Sequence, residues 1–162
     1  SPVPVVVKEV GFGLDVRSAK ALVAGGVDVL DVAGMGGTRF ADIEIALNPK
    51  IHETLSSESV FDGWGYTTIE SLNMIKRALP QTTCWASGGI QNGLDVAKSM
   101  CLGASAVGVA GKLLRPATES TEAVLATLRQ FMSELKISCF GLGVESSKDL
   151  NRSYILEITD AD

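Results

Sequence analysis

Residues 86–111 read ASGGIQNGLDVAKSMCLGASAVGVAG, and the fold turns on why glycine and alanine crowd around two short apolar runs. Glycine weakens helices and strands alike, so such a density implies close backbone approach or positive φ at several positions. The stretch divides by pattern. TTCWASGG, residues 82–89, is a short β-rich run. NGLDVAKSMCLG, residues 92–103, has helical period, with Asn92 placed to cap its start and Gly103 to end it. ASAVGVAG, residues 104–111, is again strand-like. Strand, helix and strand in so few residues predict a βα unit of a parallel sheet.

Outward from this segment the pattern repeats. PVPVVVK (Pro2 to Lys8) and VDVLDVAG (Val27 to Gly34) read as strands that are apolar on both faces, as parallel strands covered on each side are. Between them DVRSAKALVAGG places Val16, Ala19, Leu22 and Val23 on one helical face and stops at glycines. TTIESLNMIKRAL opens with the capping-box spacing of Thr67 and Glu70 and sets Ile69, Leu72, Ile75 and Leu79 along one stripe. A long last helix, Ser120 to Ile137, is expected to bury Val124, Leu125, Leu128, Phe131, Met132 and Leu135, and the tail beyond it reads as a weaker helix and an extended strip. Arg39 to Thr67 is polar and irregular, helical over FADIEIAL, and long enough for an excursion or lid. Four βα units are half of a TIM barrel, although a doubly wound sheet has the same local pattern.

Composition bounds the function. The 162 residues fit one domain, and 46% hydrophobic content is ample for a core. A net charge of −5 without a Lys/Arg cluster excludes a nucleic-acid surface, which rests on several basic contacts. No apolar run approaches the roughly 20 residues of a membrane span, and the N-terminal residues lack the features of a signal peptide, so a soluble, cytoplasmic protein is expected. Cys84, Cys101 and Cys139 are far apart in apolar surroundings and read as buried reduced thiols, not metal ligands. His52, the one histidine, reads as a surface residue.

Functional groups of βα barrels gather where strands end, and phosphate is commonly held by the loops after the last two strands. SGGIQNG (87–93) and AGKLLRP (110–116) follow the third and fourth strands. Gly88 would make a tight turn there, while Gly89, Ile90, Gln91, Ala110 and Gly111 would present backbone N–H groups to an anion. The same residues also suit ordinary tight turns. Lys8 closes the first strand, where an ammonium at the barrel mouth would stabilise negative charge on a cofactor ring or substrate. GMGGT, after the second strand, adds backbone N–H groups and the Thr38 hydroxyl at the same rim.

VVVKEVGFG (5–13), DVAGMGGT (31–38), DGWGYTT (62–68) and the segment 86–111, in this order, resemble the C-terminal half of the type 2 isopentenyl diphosphate isomerases. These are FMN-dependent TIM-barrel enzymes, and the likeness spans nearly the whole chain. It implies that the chain is a single partial domain, residues 1–162, forming the FMN-binding half of an α/β TIM barrel. It further implies that Lys8 lies beside the flavin pyrimidine edge, that Thr38 contacts FMN, and that backbone at Gly89 to Gln91 and at Ala110 and Gly111 holds the phosphate. Members often carry arginine where Gln91 stands, which removes a side-chain phosphate contact and leaves the backbone ones. The implied reaction interconverts isopentenyl and dimethylallyl diphosphate on reduced FMN, with Mg²⁺ on the diphosphate and NADPH as reductant. The family's catalytic glutamine, metal-binding glutamate and diphosphate-gripping basic residues precede the first strand, so the chain reads as a fragment without isomerase turnover of its own. Half a barrel leaves strand edges and an inner face uncovered, so self-association or pairing with the missing half is expected. An IMP dehydrogenase-like or 2-hydroxy-acid oxidase-like barrel and a non-catalytic phosphate-binding module are the alternatives. AGMGGT lacks the cysteine nucleophile of the first, and His52 falls outside any strand end, where the second needs its histidine.

Overall fold

The computed structural model describes residues 2–48, 50 and 63–156. Among them, four parallel strands form one sheet in the order β1-β2-β3-β4: β1 Val6–Lys8, β2 Val29–Asp31, β3 Thr83–Ala86 and β4 Ala104–Val107. Sequential order without a reversal decides between the two candidate architectures. A doubly wound sheet changes direction at a switch point, whereas a barrel adds each strand beside the last. The sheet is a four-strand sector of an α/β barrel.

Helices α1 Val16–Ala24, α2 Phe40–Leu47, α3 Thr68–Ala78, α4 Gly93–Cys101, α5 Gly111–Glu119 and α6 Thr121–Gly141 connect and follow the strands. Two short 3₁₀ turns, Ser147–Asp149 and Arg152–Tyr154, take the place of the weak helix expected in the tail. The core lies between the sheet and its helices: Leu30, Cys84 and Ala86 from the strands, with Val32 just after β2, meet Ala19, Leu72 and Ile75. A smaller cluster of Ala97, Cys101, Cys139 and Leu150 fastens α4 to α6 and the tail. All three cysteines are free and buried, as expected, and burial pushes the Cys84 and Cys101 thiols up, which keeps them protonated and inert.

Several expected boundaries contract for identifiable reasons. β1 starts at Val6, since Pro2 and Pro4 have no N–H for a ladder and the Val5 N–H is donated to Asp28 Oδ2 (2.8 Å). β2 ends at Asp31, because Ala33 turns to φ +37° to bring Gly34 against the start of α3. The α3 capping box forms as expected: the Thr67 hydroxyl accepts from the Glu70 N–H, and Glu70 accepts from the Thr67 N–H. Its buried face is rotated, however. Ile69 is half exposed, while Thr68 and Ser71 are buried because their hydroxyls reach backbone carbonyls, Ser71 donating to Leu14 O at 2.6 Å.

The long helix corrects a further expectation. It runs to Gly141 with Ser120 as its cap, and Phe131 and Cys139 are its buried residues, whereas Leu125, Leu128 and Met132 are 42, 38 and 58% exposed. The apolar residues spread farther around this helix than α4 and α5 cover, so the period is right and the contact narrower than the stripe. FADIEIAL is helical as expected. The remainder of the excursion between residues 51 and 62, with His52, lies outside the described residues.

Candidate functional site

Side chains alternate across a strand, so the residues beside core-facing Val7, Leu30 and Cys84 project from the opposite, inner face of the sheet. Those residues are Lys8, Asp31 and Trp85, and the strand register sets them in one row at the C-terminal edge. Lys8 is exposed there, its Nζ donating to Glu9 O at 2.9 Å.

Asp31 organises the centre of this edge. It is 7% exposed, and its Oδ1 accepts from the Ser87 hydroxyl (2.8 Å) and from the Ala33 N–H (3.2 Å). One carboxylate thus ties the tip of β2 to the tip of β3. The Thr68 hydroxyl lies 2.7 Å from Ser87 O and 2.6 Å from Gly88 O, which fixes the start of the glycine turn from the helix side. Asp31, Ser87 and Thr68 escaped sequence reading, since a strand-end Asp and two hydroxyls carry no spacing signal until the strands are in register.

The glycine loops pack backbone on backbone. Gly88 (φ +93°) lies so close to Gly34 that a Cβ would collide with Gly34 O. A Cβ on Gly37 would come to 2.8 Å from the Gly89 N, and one on Gly11 to 2.8 Å from Thr38 O. The loops after β1, β2 and β3 therefore converge, with exposed Thr38 among them. Glu9 holds the first loop by accepting from the N–H groups of Gly11, Phe12 and Gly13 at 2.8, 2.6 and 3.0 Å.

At the turn after β3 the N–H groups of Gly89 and Ile90 have no hydrogen-bond partner among the described residues. The Gln91 N–H differs: it is donated to Asp95 Oδ2 at 3.0 Å. The start of α4 is likewise occupied, because Asn92 caps Asp95 and the Gly93 N–H is donated to Glu134 Oε2 at 2.6 Å. Hydrogen bonding, first from Gly93 and then from Gln130, holds the Glu134 carboxyl below the usual glutamate range.

The neighbouring turn after β4 leads into α5, whose N-cap Ala110 supplies no side-chain hydrogen bond and whose first turn holds no acidic residue. The N–H groups of Ala110 and Gly111 are unpartnered among the described residues, and a Cβ on Gly111 would meet nothing within 4 Å. Lys112 stands exposed in this first turn, where a cation opposes the helix dipole unless an anion sits between them. The two turns leave adjacent parallel strands, and the Gly108 N–H bonds Ala86 O at 2.8 Å beside Ser87. Free amides, an uncapped helix start and a lysine thus share one edge, a donor set that suits a phosphate monoester. Asp95 lines a 160 Å³ cavity together with Gly88, Gly89 and Ile90, whereas the first turn of α5 holds no acidic residue, so an anion is favoured towards α5.

Among the described residues no helix is long and apolar enough to cross a membrane, and no group of three or more His, Cys, Asp or Glu side chains converges for a metal ion.

Known proteins resemble the chain over most of its length. Residues 1–157 match the model of a family described as FMN-dependent dehydrogenase. The isopentenyl-diphosphate delta-isomerase of Stutzerimonas stutzeri (strain A1501) is 39% identical over 158 residues, covering 98% of this chain and 45% of the relative. The enzyme of the same name from Rickettsia prowazekii (strain Madrid E) is 42% identical over 154 residues, covering 95% of this chain and 45% of the relative. The chain spans about half the length of the curated relatives it matches. Among solved structures, a mandelate oxidase carrying a monooxide FMN adduct superposes with a TM-score of 0.68 at 25% identity, over 94% of this chain and 41% of that one. An (S)-mandelate dehydrogenase gives 0.71 at 18% identity, over 94% and 34%, a likeness of fold. With nearly its whole length matched and its loops converging on one sheet edge, the chain belongs to the FMN-dependent dehydrogenase family.

Proposed function

We propose that this chain is the FMN-phosphate-binding half of an isopentenyl-diphosphate delta-isomerase of the type 2, flavin-dependent class. The observation that carries the reading is the pair of unpartnered amides at Gly89 and Ile90 beside the uncapped start of α5. In this reading those amides, those of Ala110 and Gly111, and the Lys112 ammonium hold the phosphate. Gln91 supports the turn through Asp95 and contributes no amide of its own. Lys8 and Thr38 serve the flavin ring, and Asp31 and Ser87 hold the β2 and β3 tips in place beneath it. FMN, when bound and reduced, supplies the acid/base chemistry of the isomerisation. This chain's residues bind the phosphate, orient the ring through the glycine loops and place positive charge at its edge.

The substrate of the assembled enzyme is an isoprenoid diphosphate, with Mg²⁺ on the diphosphate and NADPH as the reductant. We assign Mg²⁺ to none of these residues, and we place the enzyme in the cytoplasm. The identities of about 40% to named isomerases, against 25% and 18% to the two mandelate-oxidising structures above, favour isomerisation over 2-hydroxy-acid oxidation.

A flavin titration tests the proposal. Fluorescence quenching is expected to show saturable FMN binding and at least about tenfold weaker binding of riboflavin, which lacks the phosphate. Lys112→Ala should weaken FMN binding and leave riboflavin binding unchanged. Equal affinity for the two flavins would remove the phosphate site, and with it the assignment. The chain alone is expected to form no dimethylallyl diphosphate when given FMN, NADPH and Mg²⁺.

A further inference from the structure

A second concavity lies on the helical layer, away from the strand tips. It encloses about 740 Å³ between α3, α4, the end of α6 and the 3₁₀ tail, and includes none of the residues assigned to FMN. That volume is within the roughly 300–1,000 Å³ range of small-molecule sites. Its walls are apolar and partly open: Ile69, Leu94, Leu142, Tyr154 and Leu156 are each at least 36% exposed and converge on it.

Two polar groups in this groove lack partners. Asn73 Oδ1 is screened from solvent and accepts no hydrogen bond. A buried acceptor left unmade is costly, and a donor arriving with a ligand removes that cost. Lys98, on α4, is exposed in the lining and makes no hydrogen bond or ion pair among the described residues. An apolar trough with a buried acceptor and a free cation selects for a molecule with an apolar tail, a negative charge and an N–H or O–H.

We propose that this groove binds a single-chain anionic amphiphile, with its tail along the apolar wall, its charge at Lys98 and a head-group donor on Asn73 Oδ1. The ligand is a dissolved monomer, not a membrane surface, because the site is a trough between helices and not a raised basic face.

Dodecyl phosphate, below its micelle-forming concentration, is the probe. Near pH 6 about half of a phosphate monoester keeps its second proton, so one head group offers both the charge and the O–H. Isothermal titration calorimetry on the full chain saturated with FMN, which keeps the strand-tip phosphate site filled, is expected to show saturable one-to-one binding, and inorganic phosphate none at the same concentration. Gly141→Phe fills the groove from the last turn of α6, where an added Cβ meets no heavy atom within 4 Å, so the fold is retained. With circular dichroism unchanged, it should weaken binding at least about tenfold. Lys98→Glu should weaken dodecyl phosphate about fivefold and leave dodecanol unaffected.

Unchanged binding by Gly141→Phe overturns the proposal. So does co-sedimentation with phosphatidylglycerol vesicles without uptake of the monomeric probe. Dimerisation that Gly141→Phe abolishes, with no amphiphile bound to either form, assigns the groove to a second copy of the chain and overturns the proposal too.

Discussion

Gly88 and Gly89 stand at φ +93° and +75°, conformations that side-chain-bearing residues rarely adopt, and Gly88 also presses on the Gly34 backbone. Gly88→Ala combines an unfavourable backbone conformation with a collision against main chain, so a loss of about 2 kcal/mol or more is expected from urea unfolding. Asp31 gives a sharper test. Asp31→Ala leaves the buried Ser87 hydroxyl without its acceptor and should cost about 1–3 kcal/mol, while Asp31→Asn keeps an acceptor and should recover most of it. If both variants lose the same amount, the negative charge matters and the hydrogen bond to Ser87 does not. The glycines were legible in the sequence because their crowding points to close backbone approach or positive φ, and Gly88 and Gly89 show both. Asp31, Ser87 and Lys112 were not, since a carboxylate is placed by strand register, and a lysine's misfit with a helix dipole shows only once the helix start is found uncapped.

At the scale of elements, what a local rule determines was readable. The capping box at Thr67, the Asn92 cap and the four strand segments come from hydrogen bonding and periodicity within a few residues. What depends on a neighbour was not: periodicity gives the apolar stripe of α6 but not how much of it α4 and α5 cover, nor that hydroxyls replace Ile69 on the buried side of α3. The α4–α6 contact makes a prediction of its own. The Glu134 carboxylate spans the two helices by accepting from the Gly93 N–H, and its pKa is lowered from 4.5 by that bond first. The Glu70 and Asp15 carboxyls, each hydrogen-bonded at a helix start, are lowered as well. Groups lowered in the folded state bind fewer protons there than when unfolded. Their contribution is therefore complete above about pH 4.5 and lost as pH falls through the folded-state values. Melting temperature is expected to hold steady down to that region and then drop. Glu134→Gln should lower it near neutrality and flatten the acid limb. A variant whose acid limb matches that of the parent would show that Glu134 does not titrate with folding.

Across the whole molecule the helices cover one face of the sheet and leave the other, with the outer edges of β1 and β4 unpaired among the described residues. Val6, on the inner face, is 42% exposed, and Ser105 and Ala106 on β4 are exposed too. Unpaired edges and open apolar faces are where chains associate. The chain is therefore expected to associate with itself, or with a complementary half-barrel when one is supplied, and light scattering after size exclusion should show a mass that rises with concentration. Val6→Lys places a charge on the inner face of the edge strand and should shift the equilibrium towards monomer. Gly141→Phe, on the helical side, should not. This contrast assigns the contact to a face: loss of association with Val6→Lys alone identifies the sheet, and loss with Gly141→Phe alone identifies the outer groove. A monomer that persists at every concentration would mean that the exposed strands are protected by something other than a partner. The barrel-sector account of this surface would then have to be abandoned, although the flavin titration at the strand tips could still succeed.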